Sequence, residues 1–201
     1  MHNILTHLIK ERAKSRPEHP AIWHRDSLVS ENPNGKWLSM TWEQLNQCIE
    51  KTACAFEILG LEPQHCIGIF SENRPEVIVT DFSAYANRAI PVSIYATSSP
   101  EQVEYIVRDA NINILVVGAQ QHYEAARKVQ KKLTSLTQII AIDHIVRDAD
   151  DDSTLYFSQL VELGEKASAQ CHADVERRSS QAQIDDIATL IYTSGTTGEP
   201  K

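Results

Sequence analysis

Four hydroxyls fall within five positions near the end of this sequence: Thr193, Ser194, Thr196 and Thr197. Gly195 lies among them, Gly198 follows, and Lys201 adds a cation. Small residues let a backbone approach an anion closely, and glycine permits the positive φ that turns successive N–H groups inward. Hydroxyls add donors that can follow phosphate oxygens. The lysine adds a mobile charge. The chemistry this suggests is the holding of phosphate, without a nucleophile. Two other readings fit worse. A Walker A loop would need its second glycine at Pro200 if Gly195 were its first. A hydrolase elbow needs G-x-S-x-G, and Ser194 lies in S-G-T-T. A flexible Ser/Thr/Gly linker stays open, but linkers do not usually follow an apolar strand directly.

Such a loop needs a scaffold, and the pattern supplies one. Short apolar runs at Cys66–Phe70, Ile90–Tyr95, Ile112–Val117, Gln138–Asp143 and Ile187–Thr193 predict strands. Helical patterns separate them. Thr41 and Gln44 predict a capping box for a helix whose inner face is Leu45, Cys48, Ile49, Phe56 and Leu59, ended by Gly60. Asn73 and Glu76 bracket the next helix start, with Val77, Ile78, Phe82 and Tyr85 inward. Ser99, Pro100 and Gln102 mark another helix start. Gln120–Leu133 and the stretch around Tyr156–Ala167 predict two more helices. Ahead of them all, Ala21–His24 and Lys36–Leu38 flank the turn-like Asn32–Gly35 and predict a hairpin. Strands alternating with helices predict an α/β fold, doubly wound, with a mostly parallel sheet and helices on both faces. Ligands in such sheets bind beyond the carboxyl ends of strands, where the loop begins. Gln170–Gln183 is polar and is expected to be a surface connection.

The remaining residues narrow the function. The chain has 201 residues, 42% hydrophobic and 23% charged, the balance of an ordinary globular protein. A net charge of −8 with no basic stretch argues against nucleic acid as partner. No apolar run approaches the roughly 20 residues of a membrane helix. Charges that follow Ile9 at once argue against a signal peptide. Cys48, Cys54, Cys66 and Cys171 form no C-x-x-C pair and are expected to be reduced structural residues of a cytoplasmic protein. The eight histidines show no metal-ligand spacing, so no metal site is expected from them. Asp148 and Asp150–Asp152 lack the glycine and glutamate of an EF-hand and are expected to form a solvated loop. Trp23, Trp37 and Trp42 are expected in core and hairpin packing.

T-S-G-T-T-G-E-P-K, Thr193 to Lys201, resembles the signature loop of the adenylate-forming enzymes. That superfamily takes in acyl- and aryl-CoA synthetases, luciferases and peptide-synthetase adenylation domains. Seven positions match. At residue frequencies of roughly 5–7% each, a chance match at one site is on the order of 10⁻⁹. W-L-S-M-T-W-E-Q-L and C-I-G-I-F-S-E-N-R-P-E are similar to early segments of the family. A-I-P-V-S-I-Y-A-T-S-S-P-E-Q-V-E-Y-I-V-R-D-A, Ala89 to Ala110, is similar to its long-chain fatty acyl-CoA synthetase branch. One departure is Asn87-Arg88, where many relatives carry glycine; Asn87 is expected to take the left-handed conformation of the helix end.

The resemblance implies a two-step ligase. A carboxylate joins the α-phosphate of ATP, usually with Mg²⁺, and the acyl group then passes to coenzyme A. Long-chain fatty acids are the expected substrates, and an aryl or amino acid is the alternative. A phosphate-binding module without chemistry is a third reading. By carry-over, Thr193, Ser194, Gly195, Thr196, Thr197, Gly198 and Lys201 grip the β- and γ-phosphates, and no catalytic or metal-binding residue is expected within residues 1–201. These residues are expected to be the N-terminal portion of the adenylation domain, cut at the loop and inert alone. Fatty substrates are compatible with work beside a membrane. The sequence gives no oligomeric state.

Overall fold

A computed structural model describes residues 5–25 and 36–193. The chain opens with α1 (Leu5–Ser15) and an antiparallel pair, β1 (Pro20–Arg25) and β2 (Trp37–Thr41). The expected hairpin is therefore present, and its turn at Asn32–Gly35 lies outside the described residues. Thr41 caps α2 (Trp42–Ile58): its hydroxyl accepts from the Gln44 amide at 3.2 Å, and the Gln44 side chain accepts from the Thr41 amide at 2.9 Å. Gly60 then takes φ +85, a conformation open to glycine at little cost.

The alternation follows, with β7 and α7 added to what the pattern predicts: β3 (Cys66–Phe70), α3 (Pro75–Ala86), β4 (Ile90–Ile94), α4 (Pro100–Asp109), β5 (Ile114–Val117), α5 (Gln120–Lys132), β6 (Gln138–Ala141), β7 (Leu155–Tyr156), α6 (Phe157–Glu165), α7 (Ala169–Ser180) and β8 (Leu190–Ile191). Six of these strands form a parallel sheet in the order β7-β6-β5-β3-β4-β8. Each crossover helix buries an apolar stripe. Val103, Ile106 and Val107 of α4 and Tyr123, Ala126 and Val129 of α5 cover Phe70, Leu115, Val117 and Ile139 on one face. Leu45, Ile49 and Phe56 of α2, Val79 of α3 and Leu160 of α6 cover Ile67, Ile114, Val116 and Ile140 on the other. The sheet is doubly wound.

Several expectations need correction. Gln170–Gln183 is not a surface connection. It is mostly α7, capped by Ser168, and buries Cys171, Val175, Arg178 and Ser179. Their spacing is helical, but two of the four are polar, so the stripe looks hydrophilic in sequence. Arg178 can be buried because it donates to the Leu61 carbonyl at 2.7 Å and to Asn87 Oδ1 at 3.1 Å. Asn87 has φ −86, so it is not the left-handed residue; Arg88 is, at φ 56. The amide of Asn87 is buried instead, donating to Ala53 and Ser83 carbonyls. The cap of α3 is Arg74 rather than Asn73, and its buried residues are Pro75, Val79, Thr80, Ser83 and Ala84, with Ile78 and Phe82 of the expected face half-buried against the same core. Trp23 and Trp37 are exposed, at 61% and 57%; the hairpin packs its Ile22 and Met40 face inward. The acidic stretch is not simply solvated. The Asp151 side chain is fully buried, accepting from Tyr123 Oη at 2.7 Å and from the Ser153 and Thr154 amides. Arg127 lies 3.3 Å from Asp150.

Candidate functional site

The carboxyl ends of the strands carry two places where a ligand could bind. The first is where β3 and β5 part company. β3 feeds α3 on one face, β5 feeds α5 on the other, and the diverging exits make the kind of crevice that binds ligands in open sheets. Here it is closed from within. Gly118 donates to the Phe70 carbonyl at 3.0 Å, and a Cβ on it would stand 2.4 Å from Ser71 Oγ. Its carbonyl accepts from Arg74 Nη1 at 3.3 Å, and Arg74 also pairs with Asp143 at 3.0 Å. Beneath lies His122, fully buried, with its ring 4.5 Å from that of Phe70. The Ala119 amide donates to His122 Nδ1 at 3.1 Å. The proton is therefore on Nε2, which donates to the Ala96 carbonyl at 3.0 Å. His122 thus joins the loops after β4 and β5. That agrees with a structural histidine, though nothing in the sequence singled it out from the other seven.

The second place is the exit of β8. Thr193 is exposed there, beside the exposed Ile191. β8 pairs with β4 through Val92–Leu190 and Ser93–Ile191, and no strand among the described residues lies beyond it. Tyr95, the first residue after β4, is 64% exposed. So short a strand needs other tethers. Thr189 Oγ1 donates to the Pro91 carbonyl at 2.9 Å. Tyr192 Oη donates to Asp109 Oδ2 at 2.6 Å, and its ring meets Tyr105 edge-on at 6.4 Å. Burial, and after it the Asp109 carboxylate, pushes the Tyr192 hydroxyl far above the ordinary tyrosine range. Further back, Arg88 grips Asp186 with two hydrogen bonds, of 2.9 and 2.8 Å, and holds its carboxyl below the usual range. The Ile187 amide donates to Gln64 Oε1 at 3.2 Å.

Of the residues expected to hold phosphate, Thr193 lies at this exit. Ser194, Gly195, Thr196, Thr197, Gly198 and Lys201 lie outside the described residues. Sequence reasoning missed Tyr192, Asp109, Arg88 and Asp186, whose pairings join positions far apart in the chain. No group of three His, Cys, Asp or Glu among the described residues is arranged to hold a metal ion. All four cysteines are free. Cys54 Sγ lies 3.2 Å from His172 Nδ1, the spacing of a nucleophile and its base, but burial pushes this thiol up and makes it a poor nucleophile. No helix among the described residues is long and apolar enough to cross a membrane.

Comparison with known proteins gives this geometry its context. The chain is 34% identical over 170 residues to the long-chain-fatty-acid–CoA ligase ACSBG1 of Bos taurus, covering 83% of this chain and 22% of that protein. It is 31% identical over 177 residues to ACSBG2 of Gallus gallus, covering 86% and 22%. The chain thus spans about a fifth of the length of these relatives. Among solved structures it resembles the anthranilate CoA ligase AuaEII in complex with anthranoyl-AMP, with a TM-score of 0.77 and 22% identity, over 100% of this chain and 34% of that one. It also resembles the long-chain-fatty-acid-CoA ligase FadD1 of Archaeoglobus fulgidus, with a TM-score of 0.71 and 21% identity, over 98% and 35%. At such identities the likeness is one of fold. A model of the family described as AMP-binding enzyme matches residues 9–201, nearly the whole sequence. A parallel sheet whose exposed strand runs into T-S-G-T-T-G-E-P-K is thus part of an AMP-binding enzyme, and the chain belongs to that family.

Proposed function

We propose that this chain is the N-terminal portion of an ATP-dependent acid–thiol ligase, and that residues 193–201 hold the pyrophosphate that leaves ATP. The observation that carries the reading is positional. The phosphate-type segment begins at Thr193, at the carboxyl end of a parallel strand whose outer side is open among the described residues. In the proposed reaction a carboxylate oxygen attacks the α-phosphorus of ATP. The bond to the bridging oxygen breaks, and negative charge gathers on the departing pyrophosphate. Hydroxyls, backbone N–H groups and the Lys201 ammonium are suited to holding that charge. Acyl transfer to coenzyme A follows. Within this chain the proposed task is binding and orientation. Residues 1–201 alone are expected to be inert.

Long-chain fatty acids are the proposed substrates, because the relatives at 30–34% identity carry that activity in their names. The test is acid-dependent exchange of labelled pyrophosphate into ATP by the longer polypeptide, across long-chain, aryl and amino acids. Exchange strongest with long-chain acids is expected, and none with residues 1–201. Exchange confined to aryl or amino acids would overturn the substrate, and no exchange with any acid would overturn the reaction.

A further inference from the structure

The last side chain before Thr193 is Tyr192, and its partner stands in an unusual place. Asp109 is the final residue of α4. A helix ends in partial negative charge, so a carboxylate there opposes the helix dipole, and a cation would be favoured. Arg108, next to it, is turned toward Glu104 at 2.6 Å. Asp109 instead accepts the Tyr192 hydroxyl at 2.6 Å, the length of a strong charge-assisted bond. A residue that breaks a local rule for a specific contact commonly serves function. The contact also falls where it has leverage. β8 pairs through two residues, on one side only among the described residues, and Thr193 follows Tyr192 directly. Tyr105 sets the ring from the side, one turn before Asp109 on the same helix.

We propose that Asp109 is a positioning residue for the phosphate segment: by holding the Tyr192 hydroxyl it fixes the end of β8 against α4 and so sets where Thr193 meets a polyphosphate ligand. The inference rests on the function proposed above. It assigns Asp109 no contact with substrate. Losing the acceptor frees the ring and leaves Thr193 less well placed for the ligand, which weakens nucleotide use while leaving the acid side of the reaction alone.

The test takes Asp109→Ala, Asp109→Asn and Tyr192→Phe in the longer enzyme. Asp109→Ala and Tyr192→Phe are each expected to raise KM for ATP about tenfold, the worth of one hydrogen bond to a charged acceptor. KM for the acid should stay within twofold. Asp109→Asn keeps an oxygen acceptor and should recover most of the loss. Asp109→Ala loses this bond but also relieves an unfavourable charge at a helix end, so its thermal midpoint should shift little. A merely structural contact would instead leave the ATP and acid constants equally affected. In residues 1–201, ultraviolet titration of the tyrosines should show one of them ionising earlier in Asp109→Ala than in the parent. An active parent whose variants keep the parent KM for ATP overturns the latch and spares the proposed function. An inactive parent overturns both, whatever the titration shows.

Discussion

The β3–β5 crevice and the β8 exit lie on the same edge of one sheet and are built in opposite ways. Topology favours the crevice, because chain departs from it to both faces. Side chains decide otherwise. Gly118 is pressed against Ser71, Arg74 spans to Asp143, and His122 bridges two loops from full burial. Every polar group named there has a protein partner. At β8 the strand is two residues long, Ile191 is 66% exposed, and the segment is held by one bond each from Thr189, Tyr192 and the Ile187 amide and by the two-bond Asp186–Arg88 pair. The difference teaches that an available crevice can be used as structure, and that the lightly tethered edge is where the ligand is proposed to bind. Regions that bind ligands are often drawn from the less stable parts of a fold.

Breaking the crevice should cost most. His122→Ala removes a buried ring and strands the Ala119 amide and the Ala96 carbonyl. A loss of about 3 kcal/mol is expected in urea unfolding of the chain. A loss under about 1 kcal/mol would mean that the crevice is looser than described. The edge should be cheaper to disturb and sensitive to pH. Arg88 holds the Asp186 carboxyl below its unfolded value of about 3.9, so the pair stabilises above that pH and fails as pH falls through the folded value. Asp186→Asn should cost about 1 kcal/mol at neutral pH, since both side chains are largely but not wholly buried. It should also flatten this part of the acid dependence; equal slopes in parent and variant below pH 4 would count against the pair. The smallest effect is expected from Thr189→Val, about 0.5 kcal/mol. It should appear as faster amide exchange at Leu190 and Ile191 with an unchanged thermal midpoint.

The same contrast explains what could be seen in the sequence. The crossover helices and buried strands were legible because each repeats an apolar period, and α2 and α4 also carry their caps in the local sequence. Thr41 with Gln44 and Ser99 with Gln102 form the capping boxes their spacing predicts. α7 was not legible, because Arg178 and Ser179 occupy two of its four buried positions and only the fold brings them Leu61 and Asn87. Arg88 at φ 56 was missed for a related reason: its compensating contacts, Asp186 and Gln64, lie elsewhere in the chain. Of the candidate site, the sequence disclosed residue types and their strand. It could not disclose the tethers, since Tyr192–Asp109 and Thr189–Pro91 span 83 and 98 positions.

Amide exchange in the longer enzyme, with and without ATP, tests the contrast between the two places most directly. Slower exchange is expected at Leu190–Thr193 and the residues that follow, with no change at Gly118–His122. Protection of Gly118–His122 with none at Leu190–Lys201 would contradict it.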